Sequence, residues 1–313
     1  MRARRTVLVL LLVVALAGCG AFAPDEEGAE EARSTLEGLP AVESVEFEQA
    51  GGVDMGWTTT YHVTMTADAG AGAVADFLES SVPITDEVKG GTDMHVVRAG
   101  RDDIEIVGGY DDFRDDRAHD VARRFVAISE LDIPGKSVVT VVGDRVIVDV
   151  PGLEEIGAWA GLVAADDAMA SWVGWEFKVA GAPIRFAVRG DPLSADHVDV
   201  WREVAAGLAA TPTLRLYSLQ VTLSPDGGRV AVVLTEHSSL PSTEYTRAAH
   251  ADEAGPLIRA LGSLARQHRL TLVVDRYVPD VDEGGGATLL EMNDGQVAPR
   301  RSGLGWERLA ARG

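Results

Sequence analysis

The chain predicts an α+β fold made of repeated β-β-α units, with antiparallel sheets that carry helices on one face. Three observations lead there. Apolar and polar residues alternate over short stretches, as in Trp175, Phe177 and Val179 against Glu176 and Lys178, which is the period of a half-buried strand. Such stretches come in pairs joined by short turns rich in Gly and Asp. After each pair the apolar spacing lengthens to three and four residues, the stripe of an amphipathic helix.

The first pair covers about 42–48 and 57–67. Trp57, Thr59, Tyr61, Val63 and Met65 fall on one face, and Thr58, Thr60, His62, Thr64 and Thr66 on the other. A helix over about 71–81 follows. Strands 94–98 and 104–108 flank Ala99-Gly100-Arg101-Asp102, and Val121, Phe125 and Ile128 stripe a helix over about 116–130. Strands 138–142 and 146–150 enclose Gly143-Asp144, a pair suited to positive φ, before the stripe Ile156, Trp159, Ala160 and Val163. Strands 172–179 and 184–188 turn at Ala180-Gly181 and lead to Trp201, Val204, Ala205 and Leu208. Strands 219–223 and 230–235 flank Pro225-Asp226-Gly227-Gly228. Leu257, Ile258, Leu261, Leu264 and Ala265 then form the strongest stripe, and 270–278 supplies a late strand. In a shifted frame these units contain β-α-β-β-α-β, the split pattern of ferredoxin-like domains. Two tandem ferredoxin-like halves, 39–133 and 134–295, are therefore expected, with one continuous sheet as the alternative.

The N-terminus has a different character. Arg2, Arg4 and Arg5 precede an apolar run over 7–16, then Ala17-Gly18 and Cys19, the single cysteine of the chain. A membrane span needs about 20 apolar residues, and this run is shorter. A basic, apolar and small-residue order is that of an export signal. Leu16-Ala17-Gly18-Cys19 resembles the lipobox of a bacterial lipoprotein signal peptide. The resemblance implies removal of residues 1–18, a diacylglycerol thioether on Cys19, and a lipid-anchored location on the outer side of the cell membrane. One cysteine also excludes an intramolecular disulfide. Residues 19–38, with Asp25-Glu26-Glu27 and Glu30-Glu31, read as an acidic flexible tether. Residues 296–313, with Arg300, Arg301, Arg308 and Arg312, read as a basic tail that is disordered or docks on the body.

The formal net charge of −21 sets the body against phosphate backbones, so nucleic acid is not an expected partner. Chemical motifs are sparse. Gly70-Ala71-Gly72-Ala73-Val74-Ala75 fits G-x-G-x-x-A at a strand-to-helix turn, yet a hairpin is expected to follow where a dinucleotide site needs a parallel crossover. Asp111, Asp112, Asp115 and Asp116 group around Phe113-Arg114 with no EF-hand spacing, and suit a helix start. His62, His95, His119, His197, His237, His250 and His268 show no metal-ligand spacing, and no G-x-S-x-G elbow is present. The most functional loop by composition is 237–245, where His237, Ser239, Glu244 and Tyr245 bring an imidazole, a hydroxyl, a carboxyl and a phenol together.

These readings converge on a lipid-anchored exoplasmic envelope protein with a non-enzymatic binding or scaffold role. The lipid anchor reaches the membrane, an envelope protein or small molecule is the partner, and no cofactor beyond the diacylglycerol on Cys19 is expected. The alternative is an envelope hydrolase or carbohydrate-active enzyme, whose paired carboxyls need only spatial proximity.

Overall fold

The computed structural model describes residues 24–52, 56–114, 117–211, 216–225, 227–234, 254–276, 287–293, 296–297 and 310–311. Among them are six α-helices and thirteen strands in a mixed α/β arrangement. They divide into two compact units. The first runs through Asp132 and adds Val139–Asp144; the second takes Ile133–Val138 and everything from Arg145.

In the first unit, helix α1 (Glu26–Glu37) leads into the antiparallel pair β1 (Val42–Gly52) and β2 (Gly56–Met65). Helix α2 (Ala71–Asp86) carries the chain to β3 (Gly91–Arg98), which forms a hairpin with β4 (Arg101–Gly108). Helix α3 (Arg117–Ser129) then leads to β5 (Val138–Val142). The strands lie in chain order, and β2 with β3 and β4 with β5 are parallel. An all-antiparallel sheet is thus corrected to a mixed one. The reason is length: the 16 residues of α2 rise about 24 Å at 1.5 Å each. That returns the chain to the end from which β2 started, so β3 runs the same way.

The split ferredoxin-like pattern is not found in these pairings. The parallel partners β2 and β3 bond directly, Tyr61 opposite Met94 and Val63 opposite Val96, with no strand inserted between them. These side chains join Ile104, Ile106, Val139 and Val141 in one buried row across the sheet. Phe77 and Leu78 of α2 and Val121, Phe125 and Ile128 of α3 are buried with it.

The acidic tether is corrected too. Within 19–38, residues Glu26–Glu37 form α1, which buries Ala29, Ala32 and Leu36 against the unit. The Tyr61 hydroxyl, fully buried, donates to the Ala29 carbonyl at 3.3 Å, and burial pushes its pKa up to about 12. The acids stay outside, where Arg33 bridges Glu30 at 2.7 Å and Glu37 at 2.9 Å. Negative charge and helix are compatible because one face is small and apolar.

The second unit repeats the scheme. Strand β6 (Arg145–Val150) is followed by α4 (Glu154–Ala165), then β7 (Val173–Val179) and β8 (Ile184–Pro192). Helix α5 (Ala195–Ala209) precedes β9 (Leu216–Ser224) and β10 (Gly227–Leu234). Helix α6 (Gly255–Gln267) precedes β11 (Leu270–Arg276), β12 (Ala287–Asn293) and β13 (Gln296–Val297). Parallel pairs β6–β7, β8–β9 and β10–β11 again alternate with antiparallel ones. The core is a run of rings, Trp159, Trp175, Phe177, Phe186 and Trp201, with successive centroids 4.9–6.3 Å apart. The tail expected over 296–313 begins as β13, and Ala310 is fully buried on α6, its carbonyl accepting from Arg266 Nη1. Gly262 makes that approach possible, since a Cβ there would lie 2.6 Å from the Ala310 oxygen.

Candidate functional site

The second unit has a cavity of about 380 Å³ where the first turn of α5, the β9–β10 turn and the α6–β11 junction meet. Asp196, His197, Ser224, Pro225, His268 and Arg269 are among its lining. Each is placed by a local rule. Ser194 is the N-cap of α5, and His197 stands three residues on, where a capping box usually has Glu or Gln. The Ser194 N–H donates to His197 Nδ1 at 3.2 Å, and the Ser194 hydroxyl lies 3.0 Å from the same nitrogen. A neutral ring that accepts at Nδ1 carries its proton on Nε2. Burial lowers the His197 pKa, partly offset by the Asp191 and Asp196 charges and the Pro192 carbonyl, so the neutral form is the favoured one.

Ser224 has its hydroxyl engaged, donating to the Gly227 carbonyl at 2.7 Å across the turn. Arg269 is the unusual member. It follows His268, the C-cap of α6, and has φ of 53°, the left-handed position that glycine usually fills after a helix. Its side chain is exposed at the cavity. Asp196, two imidazoles and a guanidinium therefore surround one cavity, able to donate to a carboxylate and accept from an ammonium or hydroxyl.

The first unit brings together two histidines that the sequence leaves scattered. Parallel register sets His62 opposite His95 on the open face of the sheet, with ring centroids 5.2 Å apart. Glu105 Oε2 is 3.2 Å from His95 Nδ1, and the Thr140 hydroxyl donates to Glu105 Oε1 at 3.1 Å. Glu48 is 3.8 Å from His62 Nε2. The result is a row of polar side chains over five strands. His119 instead bridges to Glu79 at 3.6 Å between α3 and α2. Among the described residues no three His, Cys, Asp or Glu side chains gather as a metal would need, and no helix is long and apolar enough to cross a membrane.

Other expected positions fall as follows. Gly70 is the N-cap of α2, and β2–α2–β3 is a parallel crossover after all. The expected hairpin is therefore not what separates this turn from a dinucleotide site. What separates it is that β3 ends at Arg98, without the acid that holds a ribose. Asp111 and Asp112 lie in the 3-10 turn Tyr110–Asp112, where Asp112 accepts from the Gly109 N–H at 3.2 Å. Asp115 and Asp116 lie outside the described residues, as do Cys19, His237, Ser239, Glu244 and Tyr245. The signal for the cavity was Ser194-x-x-His197, a capping spacing with an imidazole at its third position. Comparison with protein-family models, with curated proteins and with solved structures finds no match to this chain.

Proposed function

We propose that this chain is a lipid-anchored exoplasmic protein whose body binds a small polar molecule without transforming it. The cavity around His197, Asp196 and Arg269 carries this reading. Its cation and carboxylate suit a ligand that bears both a carboxylate and a donor group, such as a free amino acid or a hydroxy acid. Binding is favoured over hydrolysis because, among the described residues, the hydroxyls near the imidazole are already used. Ser224 is bonded to Gly227, and Ser194 with His197 Nδ1 closes the helix cap. The membrane is reached through diacylglycerol on Cys19, and nucleic acid is not a partner.

Thermal shift of the full chain against free amino acids and small hydroxy acids tests the binding. At least one is expected to raise the melting temperature saturably, and Arg269→Gly is expected to remove that rise. Turnover of a chromogenic ester or glycoside, lost in His197→Gln, would make the cavity catalytic instead. For the anchor, Cys19→Ala is expected to abolish radiolabelled palmitate incorporation and membrane retention; labelled, membrane-bound Cys19→Ala protein would refute it.

A further inference from the structure

His62 and His95 meet in the first unit, on the polar face of its sheet. They are register partners on the parallel strands β2 and β3. Their side chains are 48% and 33% exposed, so an ion from solvent reaches both. Across β1 to β4 the row runs Glu48, His62, His95, Glu105. Each imidazole thus has a carboxylate on its outer side and the other imidazole on its inner side.

The carboxylates decide which nitrogens are left to ligate. An ionised carboxylate only accepts, so Glu105 Oε2, 3.2 Å from His95 Nδ1, places the ring proton on Nδ1 and the lone pair on Nε2. The Thr140 hydroxyl steadies Glu105 from the far side, donating to Oε1 at 3.1 Å. Glu48 Oε1 stands 3.8 Å from His62 Nε2, which leaves Nδ1 as the ligating nitrogen of His62. A carboxylate behind a metal-bound imidazole is the usual outer-shell arrangement, fixing the tautomer and raising the basicity of the ligand.

The spacing fits one ion. A metal about 2.0–2.1 Å from each ligating nitrogen lies about 3.2 Å from each ring centre. Two such rings stand about 4.5 Å apart at a right angle and about 5.2 Å apart at the tetrahedral angle. The centroids of His62 and His95 are 5.2 Å apart, with the ring planes at 44°. No third protein ligand joins them among the described residues, so the site is an open one in which water fills the remaining positions. Local charge favours a cation. Glu46 is opposite His62 in the β1–β2 register, Asp93 is two residues before His95 on the same face, and both are exposed. Imidazole suits transition ions where calcium and magnesium take oxygen, and copper(II) has the highest affinity of the divalent first-row series.

We propose that His62 Nδ1 and His95 Nε2 bind one divalent transition-metal ion, copper(II) most tightly, in an open and exchangeable site. This site is separate from the His197 cavity and does not depend on the function assigned to it.

The test uses the full chain carrying Cys19→Ala, so that the single thiol does not compete. Copper(II) is titrated in a non-coordinating buffer by calorimetry, and spin-echo modulation of its paramagnetic resonance counts the bound imidazoles. One equivalent is expected to bind saturably, with two imidazoles on the ion. Loss of an outer-shell partner weakens metal binding about 10- to 100-fold, so Glu105→Gln is expected to cost about 10-fold. His62→Gln and His95→Gln are each expected to cost at least that and to leave one imidazole on the ion. Circular dichroism checks that each variant is folded before it is compared. Absence of saturable binding overturns the proposal. So does a single imidazole in the parent signal, or unchanged affinity in any of the three folded variants.

Discussion

Replacing Arg269 by glycine separates what this residue does for the fold from what it does for the cavity. Its φ of 53° puts an L-residue in the left-handed region, at a cost of roughly 1–2 kcal/mol. Glycine removes that cost and adds back about 0.5–1 kcal/mol through the freedom of the unfolded chain. The side chain is exposed and makes no hydrogen bond or ion pair among the described residues, so little packing is lost. Arg269→Gly is thus expected to stabilise the second unit by about 0.5–1 kcal/mol net. For a unit of 150–250 residues that is a rise of roughly 1–4 °C in melting temperature. Urea unfolding of the full chain is the assay, read as a higher midpoint at unchanged slope. A midpoint that stays or falls would refute the argument, because the guanidinium would then be anchoring the fold. A stabilised variant that still binds the ligand of the cavity would refute its recognition role instead. The strain is informative because arginine occupies a place where glycine is easier, in the wall of a cavity.

Two further changes test the rest of the structure. The folded-state pKa of His197 lies below its unfolded value, so the unfolded chain binds the extra proton in acid. Stability is full above about pH 6.5 and is lost as pH falls through it. His197→Gln keeps the capping box and removes the titration. Its urea midpoint is expected to fall less between pH 7.5 and 5 than that of the parent, and an equal fall would sink the assignment. Leu36→Ala is expected to cost about 2–5 kcal/mol, because Leu36 is fully buried and ties α1 to the first unit. A loss below about 1 kcal/mol in urea unfolding would restore the flexible-tether reading of this segment.

Much of the local structure was legible. Trp57, Thr59, Tyr61, Val63 and Met65 were read onto one face of the strand, and in β2 the last four are buried while Trp57 is half-buried. The stripe Leu257, Ile258, Leu261, Leu264 and Ala265 is the buried face of α6. The helix α1 was obscured by its charge, since Ala29 and Ala32 are too small to mark a stripe amid five glutamates. The parallel pairs were implied by the order of elements, because a helix between two strands returns the chain to the end where it began. Reading the hairpins alone hid that, and with it the encounter of His62 with His95.

What the sequence determined by itself is the face each residue takes, because a strand repeats every two residues and a helix every 3.6 whatever lies beside them. The lipobox resemblance at Cys19 is equally local. Tertiary structure alone decided which faces meet: that His197 shares a cavity with Arg269 more than seventy positions on, that Arg269 is left-handed, and that the Trp201 indole is buried with no acceptor among the described residues. Neighbours across a sheet and voids between helices depend on the path by which the chain returns. Local periodicity holds no record of that path.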